Sequence, residues 1–475
     1  MYKRSIWSLV SVLAAAALML GACSPAAAPP PGVTQIVVTS PPIQVTQIVA
    51  GTPQTIVITA TPAPATAPTA VPANTSPVTI WFHSGTGDEH DAMAASIKAF
   101  QDANPDVKIN FVNLPAGDYN AQVQAAAFSR KLPCLLDFDG PNMDNYAWAG
   151  LLIPLDSYIP ASLKSDLLPS ILAQGTFQDG KIYSLGQFDS GLAFWGNKDM
   201  LDKAGARIPT VDKPWTGAEF DDVLAKLKAT GVQWPLDLGL NYGAGEWFTY
   251  GFSPIVQSFG GDLINRKDYQ KADGVLNGPE AVAALTEFKA WIDKGYVNGK
   301  QTAADDFISG KSAISFIGHW ASGPYTKAFG DKAIVIPMVD FGKGAKTGMG
   351  SWNWGITKDC ANPDAAWKVL SFLMSSAEVK RITTANGAVP ALKSVLDADP
   401  RYGPGGLLNV YYQQLQKGEG VPRPTTAAYP TITQAFAKAV DNIRNGADVK
   451  TELDAAVKTI DDNITQNGGY PLSDQ

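Results

Sequence analysis

Acidic, amide and aromatic side chains carry most of the chemical potential of this 475-residue chain, which has 12 Trp and 15 Tyr but 3 His and 3 Cys. Two carboxylates stand out by position. Asp139 ends the apolar run CLLDFD, and Glu246 closes the Gly-rich run NYGAGE at a helix start. Carboxylates flanking a glycosidic bond would make a glycoside hydrolase, but nothing in the sequence fixes the separation of these two. Glu246 also has a rival role as a first-turn acid favoured by the helix dipole. No G-x-S-x-G, H-E-x-x-H or phosphate-binding loop occurs. His83, His90 and His319, with two cysteines beyond residue 23, supply a metal site poorly. No metal, no cofactor and no catalysis are therefore expected. The formal charge of -7 becomes -9 without Lys3 and Arg4, and no basic run exists, which argues against nucleic acid as a partner. A mildly acidic, Trp-rich, His-poor chain suits binding of neutral polar molecules.

The elements that would position these groups begin at Pro77. PVTIWFH reads as a strand, and Asp88 can cap a helix carrying Met93, Ile97 and Phe100 at helical spacing. VKINFV (107–112) is a second strand, a helix follows over about 118–130, and CLLDFD (134–139) is a third. Strand, helix, strand, helix, strand predicts a parallel sheet with right-handed crossovers, whose ligands meet the loops at the carboxyl ends of the strands. Those loops carry His83 and Glu89, then NLPAGDY, then Asp139, Asn142 and Trp148. His83 can donate to a ligand hydroxyl or make a structural hydrogen bond. Later helices are read at 198–204, 216–230, 245–259 and 279–294. SAISFIGHW (312–320) reads as a buried strand ending on an aromatic. Trp352 and Trp354 lie on one side of the extended WNWGIT, because strand side chains alternate faces. Helices then dominate to the C-terminus.

Ahead of this body, Lys3 and Arg4 precede an apolar run, Ile6 to Leu20, of signal-peptide length and too short to span a bilayer. It ends in LGAC, which resembles a lipobox with Cys23 as the lipidated first residue of the mature chain. Residues 1–22 are read as signal peptide. Residues 23–77, rich in Pro, Thr and Ala with the repeated runs VTQIVV and VTQIVA, are read as an extended tether. Prolines interrupt each run, which argues against strand pairing there. The expected location is outside the cytoplasmic membrane, anchored to it through lipid.

In order, the stretches TIWFHSG…FQDANPDVKINFV, LLDFDGPNMDNYAWAGLLIPLDSYI, YSLGQFDSGLAFWGNKDML, ISGKSAISFIGHW and GSWNWGITKDCANPDAAWKVLSFLMSS resemble the extracellular solute-binding proteins of ABC importers. The likeness is to their carbohydrate-binding, maltose-binding-like family and covers about 79–464. It implies an α/β, two-lobed periplasmic-binding-protein-like fold (type II), each lobe a mostly parallel sheet flanked by helices, with a cleft between. One lobe would be 78–187 plus 341–397 and the other 188–340 plus 398–475. The resemblance further implies that WNWGIT returns antiparallel beside the third strand, placing Cys134 near Cys360 for a disulfide in an oxidising compartment; the alternative is two buried thiols. It implies a monomer that closes on one carbohydrate, an oligosaccharide, and hands it to permease subunits.

A sugar site needs aromatic platforms for C–H faces and carboxylate, amide or guanidinium groups for the hydroxyls. By the family's pattern the aromatic at Trp320 faces the cleft, the alternative being a core tryptophan. Trp352 follows Gly350-Ser351, which keeps the backbone open near a ligand, whereas Trp354 is read as packing. Asp139 is the expected hydroxyl acceptor, with Asn142 beside it. Trp247 and Tyr250 join Glu246 at their helix start, and Trp247 is read as the more telling. Asp189 sits where the chain enters the second lobe, to touch ligand or to serve the hinge. Tyr429, near Arg423, is either a platform or part of a plain surface loop. A surface adhesin or lectin is the other non-enzymatic reading, and a hydrolase using Asp139 and Glu246 the enzymatic one.

Overall fold

The computed structural model describes residues 44–49, 52–57, 76–84, 87–115, 119–302 and 305–472. The leader, Cys23 and most of the tether lie outside these residues. Within the tether, β1 (Gln44–Val49) pairs antiparallel with β2 (Thr52–Val57), with Gln44 opposite Val57. This departs from the expected extended spacer. Pro53 sits near the start of β2, and a two-stranded ribbon has only edges, where a missing N–H is tolerated.

The unit from Ala73 onward is built on two sheets. The first contains β3 (Val78–Ser84), β4 (Ile109–Pro115), β5 (Leu135–Asp139) and β6 (Leu185–Gly186). After β7 (Phe188–Asp189) the chain enters a second sheet through β8 (Leu192–Asn197), β9 (Leu236–Asp237), β10 (Ile314–Gly318) and β11 (Ala333–Ile336). It then returns through β12 (Thr347–Met349) and places β13 (Trp352–Ile356) in the first sheet. The short β14 (Val389–Pro390) and β15 (Gly420–Pro422) pair with β7 and β12 respectively, forming two ribbons between the sheets.

The strand orders are β4-β3-β5-β13-β6 and β11-β8-β10-β9. In each sheet one strand opposes the rest: β13 in the first and β8 in the second. Each opposed strand is the first to join its sheet after a crossing, so its direction is set by the segment that delivers it. Thr347 pins the two crossings together. Its Oγ1 accepts from the Leu192 backbone N–H and donates to the Leu192 carbonyl, both at 2.8 Å.

All five residues of β5 are buried because both faces are covered. Leu135 packs into the core with Ile80, Phe82, Trp354 and Leu370, and Leu136 and Phe138 into a second core with Tyr119 and Tyr146. Alternation therefore puts Asp137 and Asp139 on the Leu135 face. The second sheet's core joins Phe194, Trp195 and Phe316 to Phe248, Phe252, Trp291 and Phe436 from the helices.

Two boundaries differ from the sequence reading. Helix Gly87–Ala103 begins before Asp88, so Asp88 is a first-turn acid and not the cap. The strand in SAISFIGHW stops at Gly318, and Trp320 lies in the 3₁₀ turn that follows. As the resemblance implied, β13 lies antiparallel to β5 with Leu135 opposite Ile356. Cys134 and Cys360, flanking that pair, form a disulfide with Cα atoms 4.2 Å apart.

Candidate functional site

Asp139 ends β5 directly opposite Trp352 of β13. The half-buried Trp352 indole lies flat on the His83 imidazole, ring centroids 3.5 Å apart and planes 3° from parallel. His83, one residue before the end of β3, is held by Asp137: Nδ1 is 2.5 Å from Oδ2, and the His83 backbone N–H donates to the same oxygen at 3.2 Å. Burial by itself would lower the His83 pKa. The Asp137 carboxylate, with Glu89 and Asp139 beyond it, outweighs burial and raises it. His83 is buried, so the structural hydrogen bond is the role its geometry carries. Asp137, absent from the expected site, was legible in LLDFD as the residue sharing a face with Asp139.

The second sheet contributes helix Glu246–Phe259, which starts after the extended Gly245. Between its first residue and Asp139 stands Arg423, just past β15. The Arg423 guanidinium donates to both Asp139 oxygens, at 2.6 and 2.7 Å, and to Glu246 Oε1 at 2.5 Å. Its Cζ lies 4.6 Å over the Tyr250 ring, a cation–π placement. Gly350, at φ +139°, leaves the space: a Cβ there would come within 2.5 Å of Arg423 Nη2. Arg423 is the one lysine or arginine that is buried among the described residues. Burial opposes its charge, but Asp139, Tyr429 and Glu246 outweigh burial and hold its pKa well above the ordinary value. For Glu246 burial prevails over the Arg423 charge, and the pKa is raised. Sequence reasoning passed over Arg423, although it is the only base between Lys417 and Lys438 and sits between two prolines.

Trp320 completes the arrangement. A Cβ on Gly318 would fall 1.9 Å from its ring, so the indole rests on bare backbone. Its Nε1–H donates to the Tyr242 hydroxyl at 3.1 Å, and its ring centroid is 6.3 Å from that of Tyr250. Trp320 is half-buried and Tyr242 is 52 % exposed. A continuous arc therefore runs from Trp320 through Tyr250, Arg423 and Asp139 to Trp352 and His83, from the second sheet to the first. A surface cavity of about 430 Å³ lies elsewhere, lined by Thr216, Asp221, Phe259, Glu287 and Phe341 among others, and shares no residue with this arc.

Other expected site residues are placed differently. Tyr429 is neither platform nor surface loop. It starts helix Tyr429–Arg444, is fully buried, and its hydroxyl donates to Glu246 Oε1. Trp247 is buried, donates to the Leu238 carbonyl at 3.0 Å and meets the Trp320 ring edge to face with centroids 6.0 Å apart, so it backs that indole from the core while Glu246 faces Arg423. Tyr250 keeps its place in the arc as the ring under Arg423, its hydroxyl donating to Ser190 Oγ at 2.9 Å. Asn142 is buried and folds its amide back onto the Asp139 carbonyl at 3.2 Å. Glu89 is buried and accepts from Asn386 Nδ2 at 3.1 Å. Asp189 is fully buried in the β7 ribbon and accepts from the Ser190 N–H at 2.8 Å. The proposed hydrolytic pair, Asp139 and Glu246, is joined by one guanidinium instead of flanking an open space.

The sheets are also tied away from the arc. His319 Nδ1 is 2.7 Å from the Asn386 carbonyl. Asn145 Nδ2–H donates to the Ala427 carbonyl at 2.7 Å, and Trp148 Nε1–H to that of Pro471 at 2.9 Å.

Residues 95–402 match the sequence model of the bacterial extracellular solute-binding proteins. The chain belongs to that family. The family is one of binding proteins. Over 359 residues the sequence is 24% identical to a Rhizobium meliloti protein named "Probable sugar-binding periplasmic protein", covering 71% of this chain and 82% of that one. The fold matches the GacH receptor of Streptomyces glaucescens, solved unliganded and with acarbose, at a TM-score of 0.69 and 24% identity over 84% of this chain and 98% of that one. It also matches an ABC substrate-binding protein of Listeria monocytogenes in complex with cycloalternan, at 0.70 and 23% over 83% and 99%. The two-lobed architecture is thus that of maltose-binding-like receptors.

Proposed function

We propose that this protein is a lipid-anchored extracytoplasmic receptor that captures a carbohydrate, an oligosaccharide, between its lobes and delivers it to the permease of an ABC importer. The observation that carries the reading is the arc from Trp320 to Trp352. Two half-buried indoles offer platforms for sugar C–H faces, and Asp139 and Arg423 between them offer the charged hydrogen bonds that hydroxyls take. The lobes are 78–187 plus 341–397 and 188–340 plus 398–475, with Cys23 as the anchor and the tether holding the body off the membrane. Contacts such as Arg423 to Asp139 and His319 to Asn386 form only when the lobes are together, so a ligand adding contacts to both lobes shifts the population to the closed state.

The test is titration of the mature chain with linear and cyclic oligosaccharides, following tryptophan fluorescence, thermal stability and X-ray scattering. A ligand should quench or shift the indole emission, raise the melting temperature and contract the particle, since a ligand bound to the native state alone must stabilise it. Binding without contraction would favour a rigid adhesin. Silence across the panel would remove the carbohydrate reading.

A further inference from the structure

Every positive group at the arc is already matched by a carboxylate of the protein itself. Arg423 is held by Asp139 and Glu246. The positive end of helix Glu246–Phe259 carries Glu246 in its first turn, and that of helix Gly87–Ala103 carries Glu89. His83 is paired with Asp137. Of the Arg423 guanidinium, Nη1 makes two bonds to carboxylates and Nη2 one, while Nε is buried without an acceptor. Two N–H groups are left over, that of Nε and the second of Nη2, and either can serve a hydroxyl oxygen. Recognition of a phosphate or carboxylate takes two parallel N–H groups from one guanidinium. Asp139 occupies the Nη1–Nη2 fork, and an anion at the remaining Nε–Nη2 edge would sit beside the Asp139 and Glu246 carboxylates on the same guanidinium.

Resting on the carbohydrate reading above, we propose that the cleft selects uncharged solutes and rejects anionic ones, with Asp139 and Glu246 acting as built-in anions that keep Arg423 from phosphates and uronates. An incoming phosphate would have to displace the Asp139 fork or take the remaining edge, in either place against carboxylates already on the same guanidinium. A neutral hydroxyl can accept from a spare N–H, donate to Asp139 and leave the ion pairs in place. The two carboxylates are thus specificity-determining residues whose removal should invert the preference of the site.

The experiment uses the chain from Ser24, without the lipidated cysteine, and two variants, Asp139→Asn and the double Asp139→Asn/Glu246→Gln, with near-UV circular dichroism to establish folding. Each is titrated calorimetrically with maltotriose and mannobiose, with sn-glycerol 3-phosphate and galacturonate, and with inorganic phosphate. For the unaltered chain no anion should bind at millimolar concentration. In the double variant the freed guanidinium should bind phosphate with millimolar or better affinity, weakening as salt rises. Asp139→Asn alone keeps shape and volume, guards against misfolding, and should show the same gain in smaller measure. If the unaltered chain binds an anion more tightly than any neutral sugar, the proposal is overturned. It is equally overturned if a folded variant gains no phosphate binding. Silence toward neutral sugars together with gained phosphate binding in the variant would sink the carbohydrate reading while leaving the charge exclusion standing.

Discussion

Replacing Arg423 by alanine is the perturbation that most directly probes the arc. The substitution removes three charge-assisted hydrogen bonds, each with a net value of about 1.5–3 kcal/mol. That sum overstates the effect, because the guanidinium no longer has to be desolvated. Breaking a buried ion pair from one side costs about 3–5 kcal/mol, and that is the expected loss near neutral pH. Two carboxylates would remain facing a void, with Glu246 already raised by burial. A group whose folded pKa lies above its unfolded value contributes stability that is fully present below the unfolded pKa and is lost as pH rises through the folded one. The deficit of Arg423→Ala should therefore shrink as pH falls toward the ordinary carboxylate range. Arg423→Lys, keeping charge without the fork, should fall between. Urea denaturation of the three proteins at several pH values reads the result, with scattering as a check on opening. A deficit below about 1 kcal/mol with unchanged scattering, or one that grows on acidification, would refute the reasoning.

Two further outcomes follow from other sites. The Cys134–Cys360 bridge spans a sequence separation of 226, for which chain entropy gives up to about 5 kcal/mol. The double serine variant should lower the urea midpoint strongly, and alkylation of both thiols without reductant would contradict the bond. Asp144 is buried and its pKa is pushed up from 3.8 to about 7 by burial. Its stabilising share is intact below 3.8 and is lost as pH rises through about 7. Asp144→Asn should therefore gain on the unaltered protein, by a few kcal/mol at most, between mildly acidic and mildly alkaline pH. Parallel melting curves of the two proteins across that range would count against it.

Much of the architecture follows from sequence alone. Periodicity and punctuation suffice for β3 to β5, for the helix carrying Met93, Ile97 and Phe100, and for the core role of Trp354, because local alternation decides which face is apolar. The order of several weak stretches, not any one motif, pointed to two lobes. Asp139 was legible as a polar residue at the carboxyl end of a buried strand, and Trp352 as an aromatic entering one.

Tertiary structure alone decided what these residues touch. Glu246, Trp247 and Tyr250 are near neighbours in sequence, yet helix rotation sends Trp247 into the core while Glu246 and Tyr250 meet Arg423. Tyr429 looked exposed among prolines and is fully buried, because the following helix packs against the second sheet's core. Arg423 lies 284 residues from Asp139 and 177 from Glu246. No local pattern encodes such a partnership, since a buried charge is stable only where distant segments bring it opposite charge. The chain's own residues thus determine strands, helices and candidates, and the crossing ribbons that join the two sheets determine which candidates meet.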